Sequence, residues 1–171
     1  MGDDLVKEFV DRCVEQLRLN LPRIEICLKA VTEDEVWQKP GSLAASIGHL
    51  LLHLNGNVTQ YILSGLGGAP DRRDRDLEFT TGEPKSRAEL WKTIRSTVEE
   101  ACRVIEKTGE KELLGTRKVQ GFDYTGMGII VHVVEHFSYH VGQVSYRVKT
   151  LKDVDLGYYA GLDLNVQNEG P

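Results

Sequence analysis

The 171-residue chain is poor in the features that mark several protein classes. No stretch approaches the roughly 18 consecutive apolar residues of a membrane-spanning helix, so no span is expected. Positive charge is not in excess: 21 Lys+Arg stand against 26 Asp+Glu, a formal net charge of −5. Without a basic face the sequence offers no electrostatic footprint for nucleic acid or an anionic lipid surface. Cysteine is scarce, and Cys13, Cys27 and Cys102 are odd in number and widely spaced. They lie in helical patterns and are expected to be buried thiols rather than disulfides or a zinc ribbon. The start, MGDDLVKEFVDRC, carries acidic residues where an export signal carries basic ones, and no apolar h-region follows, so a cytoplasmic protein is expected.

What is present describes a globular chain. With 40% hydrophobic and 27% charged residues, residues 1–171 are expected to form a single domain with its own core. Apolar residues recur in steps of three and four from Val6 to Val31, which predicts a first long helix, with a kink or break at Pro22. Thr32-Glu-Asp-Glu35 reads as a capping box for a short turn. A second helix is expected from Leu43 or Ser46 to Ser64, stopped by Gly65. The third starts at the Ser86-Arg-Ala-Glu89 capping box and runs to about Lys107, and the fourth runs from Thr125 to Leu151. The fourth is rich in β-branched residues, but its period and length favour helix. Around Val119 an irregular turn or a short extended pair is expected. From about residue 153 the chain becomes irregular, and the tail is expected to pack on the helices or on a second subunit. The sum is an all-α fold, a four-helix bundle with a long crossover between helices two and three. That crossover, about twenty residues from Gly65 to Lys85, contains GLGGAP, DRRDRD and GEPK, and the mixed charges of DRRDRD read as a solvated loop.

The histidines are few but patterned: His49, His53, His132, His136 and His140 all fall in four-residue series. Residues four apart on a helix share a face and lie about 6 Å apart along the axis. His132 and His140 are about 12 Å apart along that axis, too far for one ion with ligand bonds of about 2 Å, so an ion on helix four would take an adjacent pair. Two polar rows, His49/His53 followed by Asn57 and Gln60, and His132/His136/His140 followed by Gln143, flank apolar stripes and can converge on one ion across a groove. Imidazole suits zinc, nickel, copper or iron, and three protein ligands with an open position are the usual catalytic arrangement. No helix carries the Glu-x-x-His spacing of a carboxylate-bridged di-iron site. His132-Val-Val-Glu135-His136 matches the inverted zincin pattern, but it leaves out His53 and His140 and lacks a downstream carboxylate ligand.

SIGHLLLHLNGNV (Ser46 to Val58) and VVEHFSYHVGQV (Val133 to Val144) resemble the two histidine-bearing helices of the DinB-like (DinB/YfiT-like) superfamily of metalloenzymes. DRRDRDLEF and the tail sequence DLGYY narrow the resemblance to a bacterial branch of unknown function. The resemblance spans essentially the whole chain. It implies a four-helix bundle, commonly a homodimer, and three histidine ligands to one divalent metal: His53, seven residues after Ser46, and the pair His136 and His140. His49 and His132 then fall outside the ligand set, as outer candidates together with Asn57, Glu135 and Gln143. Zinc or nickel is the expected ion, with iron or manganese as further options. Relatives of this kind include thiol-dependent S-transferases and isomerases, so the implied partner is a low-molecular-weight thiol or other small molecule. A non-catalytic metal-binding or interaction bundle and a metal-dependent hydrolase are the other readings.

Overall fold

The computed structural model of the protein describes residues 2–80 and 84–168; residues 81–83, inside the crossover and including the first two positions of GEPK, lie outside the described residues. The described chain is mostly helical. α1 (Gly2–Ala30) is followed by the short α2 (Glu33–Trp37) and by α3 (Ile47–Val58), which continues as a π-helical segment over Thr59–Leu66. A 3₁₀ turn at Asp76–Glu78 interrupts the crossover before α4 (Arg87–Glu106) and the short α5 (Glu110–Leu114). The antiparallel pair β1 (Thr116–Val119) and β2 (Phe122–Thr125) precedes α6 (Gly126–Lys152).

Local chemistry explains the helix starts. Thr32, Ser46 and Ser86 each accept a hydrogen bond from the backbone N–H three residues on, and the side chains of Glu35, His49 and Glu89 in turn accept one from the cap backbone N–H. Thr125 caps α6 by accepting from Gly128 N–H at 3.0 Å. Two expectations need correction. The helix runs through Pro22 without the predicted break, because Pro22 lies on the exposed face, where water can serve the carbonyl it leaves without a donor. Gly65 does not stop the second helix either. The helical path continues to Leu66, and a Cβ at Gly65 would lie 2.6 Å from the Val119 side chain, so close packing explains that glycine.

α1 packs against α4 and α6, and α3 packs against the same two helices. Leu17, Ile24, Leu54, Ile105, Phe137 and Val144 are among the side chains with no exposed surface. Each such residue gains roughly 1.5–3 kcal/mol from burial, enough to override the weak helix propensity of the β-branched residues in α6. All three cysteines are buried and unpaired. The short extended pair forms around Val119, joined by Gln120 and Gly121 with φ of 52° and 85°, the left-handed pair that a two-residue hairpin turn requires. The tail packs on the helices: Leu156 is buried, and the Tyr158 hydroxyl lies 2.7 Å from Ser145 Oγ and 3.1 Å from Cys27 Sγ. Among the described residues no helix is long and apolar enough to cross a membrane.

Candidate metal centre

His53 on α3 and His136 and His140 on α6 meet where these two helices pack. One ring nitrogen from each lies within 4.8 Å of the others, a group able to hold a metal ion. The ring centroids are 5.1 Å apart for His53–His136, 5.0 Å for His53–His140 and 4.4 Å for His136–His140. His53 is buried and the other two are partly buried.

The remaining nitrogens show which atoms are free to ligate. His53 Nδ1 is 2.8 Å from Glu78 Oε2. A carboxylate only accepts, so the ring proton sits on Nδ1 and Nε2 keeps its lone pair. His140 Nδ1 donates to Gln143 Oε1 at 2.7 Å, which again frees Nε2, and Gln143 Nε2 in turn donates to the Tyr139 hydroxyl at 3.2 Å. His136 Nε2 faces His53 Nε2 at 2.9 Å. Two lone pairs cannot face each other at that distance, so a proton on one of the two nitrogens, or a cation in its place, must lie between the rings. Burial disfavours extra charge here. It pushes the His136 pKa down to about 3, helped by His140, His53, His132 and Arg73, and it lowers that of His140 as well. The donor set therefore consists of three imidazoles, two of which, His53 and His140, are held by oxygen acceptors on their far nitrogens, which fits a borderline divalent ion.

Arg73 and Glu78 were not identified from the sequence. Arg73 donates from Nε to Glu78 Oε1 at 2.6 Å and from Nη2 to Glu78 Oε2 at 2.9 Å. Its Nη1 donates to Gln60 Oε1 at 2.9 Å, and Gln60 Nε2 donates to Asp71 Oδ2 at 2.9 Å. Burial alone would raise the Glu78 pKa, but the hydrogen bonds from Arg73 and His53 hold it below the ordinary value. Gly56 makes room for this pair: a Cβ there would lie 1.9 Å from Glu78 Oε1. The reading of DRRDRD as a solvated loop is thus corrected for Arg73, while Asp71 stays exposed and reaches Gln60 from the surface. The Arg73 side chain is only 4% exposed, because the carboxylate it neutralises must itself be buried to reach His53. The one sequence signal was the alternation of charge followed by Leu77-Glu78 in a segment with no helical period.

The outer candidates separate. Gln143 holds His140. His132 stacks between Tyr61, at 4.4 Å, and His136, at 5.4 Å, and it is 3.5 Å from Asn57 Nδ2. Asn57 is buried but touches none of the three clustered imidazoles through a hydrogen bond. Glu135 is exposed and makes no hydrogen bond to the cluster, so the inverted zincin geometry is not formed. His49 lies apart, turned back on Ser46 as part of the helix cap.

No curated protein matches the chain. Among solved structures it is similar to one described as the conserved protein of locus from Enterococcus faecalis, at 18% identity, over 85% of this chain and 94% of that one, with a TM-score of 0.54. At that identity the likeness concerns the fold alone. Residues 4–160 match the family described as "Protein of unknown function (DUF1572)". With nearly its whole described length inside that match, the chain belongs to the DUF1572 family.

Proposed function

We propose that His53, His136 and His140 bind one divalent transition ion, zinc or nickel ahead of iron or manganese, in a single DinB-like four-helix bundle whose crossover joins α3 to α4. One observation carries this reading: the far nitrogens of His53 and His140 are already engaged by Glu78 and Gln143, leaving Nε2 lone pairs beside His136 Nε2. When bound, the ion would act as a Lewis acid that lowers the pKa of a thiol or water in its open position. The chain's own contribution is orientation. Glu78 and Gln143 fix two rings, Arg73 keeps Glu78 ionised, and the partial exposure of His136 and His140 leaves an approach beside Tyr139.

The reaction class this supports best is thiol-dependent S-transfer or isomerisation with a low-molecular-weight thiol, and metal-dependent hydrolysis is the next option. The second reading from a different class, a purely structural ion, is favoured by the way the ligands tie α3 to α6. A cytoplasmic homodimer completes the proposal. The exposed Met127, Val131, Tyr139 and Tyr146 on α6 offer apolar surface for self-association, which light scattering of the purified protein would test against a monomeric mass.

Metal analysis of the untagged protein, with His53→Ala and His140→Ala alongside, tests the ligand set. Near-stoichiometric metal is expected in the wild type and little in either variant. Stoichiometric metal surviving in both variants would overturn the assignment, and a wild type that stays metal-free under varied metal supply would favour a metal-free interaction bundle.

A further inference from the structure

A cavity of about 350 Å³ lies where the loop between α2 and α3 meets the crossover. The loop contributes Lys39 to its wall and the crossover contributes Arg75 and Phe79, and none of the three clustered imidazoles lines it. That volume is within the range of small-molecule sites.

Its charge is one-sided. Lys39 and Arg75 line it and no carboxylate does, whereas four other cavities on the described surface are each lined by two or more carboxylates. In a chain with a formal net charge of −5 this is a local inversion of sign. Neither cation is engaged elsewhere: among the described residues neither makes an ion pair. The acidic neighbours of Arg75 in the sequence do not serve it. Asp74 Oδ1 accepts from the backbone N–H groups of Asp76 and Leu77 at 3.2 and 3.4 Å and lines a different cavity, and Asp76 lines neither. Two like charges on one concave wall repel each other, and an anion between them relieves that repulsion.

The remaining wall describes the body of the anion. Leu43, Ala44 and Ala45 give the loop side an apolar lining, and Leu43 is fully exposed, with nothing in the fold to cover it. Across from them the Arg75 guanidinium carbon lies 5.3 Å from the centre of the Phe79 ring, so the cation rests over an aromatic face. Its planar fork matches a carboxylate, while Lys39 adds a point charge. The same Phe79 ring is 5.2 Å from the imidazole of His53. The geometry points to a binding site for a small apolar carboxylate, its charged end between Arg75 and Lys39 and its body against Leu43, Ala44 and Ala45, one aromatic ring away from the histidine cluster.

Alanine methyl groups supply the reporter. Ala44 and Ala45 are in the wall, whereas Ala101 is buried on α4 and does not line the cavity. In the full-length protein labelled with ¹³C-methyl alanine, titration with benzoate is expected to move the Ala44 and Ala45 resonances saturably and leave that of Ala101 in place. Benzamide, the same ring without the charge, should bind about tenfold more weakly. Arg75→Gln and Lys39→Gln, at exposed positions where the fold has nothing to lose, should each weaken benzoate about threefold or more and leave benzamide unchanged. Ala44 and Ala45 resonances that do not move overturn the site. Equal affinity of benzoate and benzamide overturns the anionic end, and undiminished benzoate binding in either variant overturns the role of that cation. Inorganic phosphate binding as tightly as benzoate overturns the apolar half of the assignment. No readout depends on metal content, so failure here is separable from failure of the histidine ligand set.

Discussion

Glu78 does at the residue scale what the histidines cannot do for themselves. An imidazole that is free to turn is a poor ligand, and the Glu78 carboxylate fixes both the tautomer and the plane of His53. Glu78→Gln keeps the size but exchanges a charged acceptor for an amide and leaves Arg73 without its counter-ion. Metal affinity is expected to fall about 10- to 100-fold, measured by competition with a chromophoric chelator; unchanged affinity would show that Glu78 serves only the crossover. Helical periodicity made the two histidine rows legible, and the resemblance to a known superfamily picked His53, His136 and His140 out of them. Glu78 and Arg73 were not legible, because an aperiodic connection gives no rule for which of several alternating charges turns inward. Gly56 fits the same pattern, since its meaning lies in the side chain that would collide with it.

Among the elements, the long helices and the ends of α1, α4 and α6 followed from sequence, whereas the effects of Pro22 and Gly65 did not. Ser46 and Ser86 announce helix starts through local hydrogen bonds, but the passage of α1 through Pro22 and of the second helix through Gly65 depends on what lies outside each helix. The interior faces of α1 and α4 yield a pH prediction. Cys13 and Cys27 on α1 and Cys102 on α4 are buried, and burial raises all three thiol pKa values, that of Cys102 to about 11. Below about pH 8 folded and unfolded chains both hold these protons. Between that value and about 11 the unfolded chain releases them while the fold retains that of Cys102, so stability must fall as pH rises. The urea midpoint is expected to drop between pH 8 and pH 10.5, with a shallower drop in Cys102→Ala. An identical slope in the variant would remove Cys102 as a source of the loss.

On the scale of the whole molecule, an ion held by the three histidines would link two helices that the sequence holds far apart. Binding only to the folded state at about a thousandfold excess over Kd stabilises by about 4 kcal/mol, and for a chain of this length that is worth about 10 °C in Tm. Chelation of the metal-loaded protein is expected to lower Tm by that order and re-addition of the ion to restore it. An unchanged Tm after verified metal removal would leave the cluster without influence on the fold. The order of events during folding follows from the contact between His53 and His136, which spans 83 positions. A partly synthesised chain holds only His49 and His53, and the Ser46 cap turns His49 away from its neighbour. The growing polypeptide consequently has no assembled histidine cluster to offer until its last long helix has docked, so any metal capture at this site would be a late event that registers that docking.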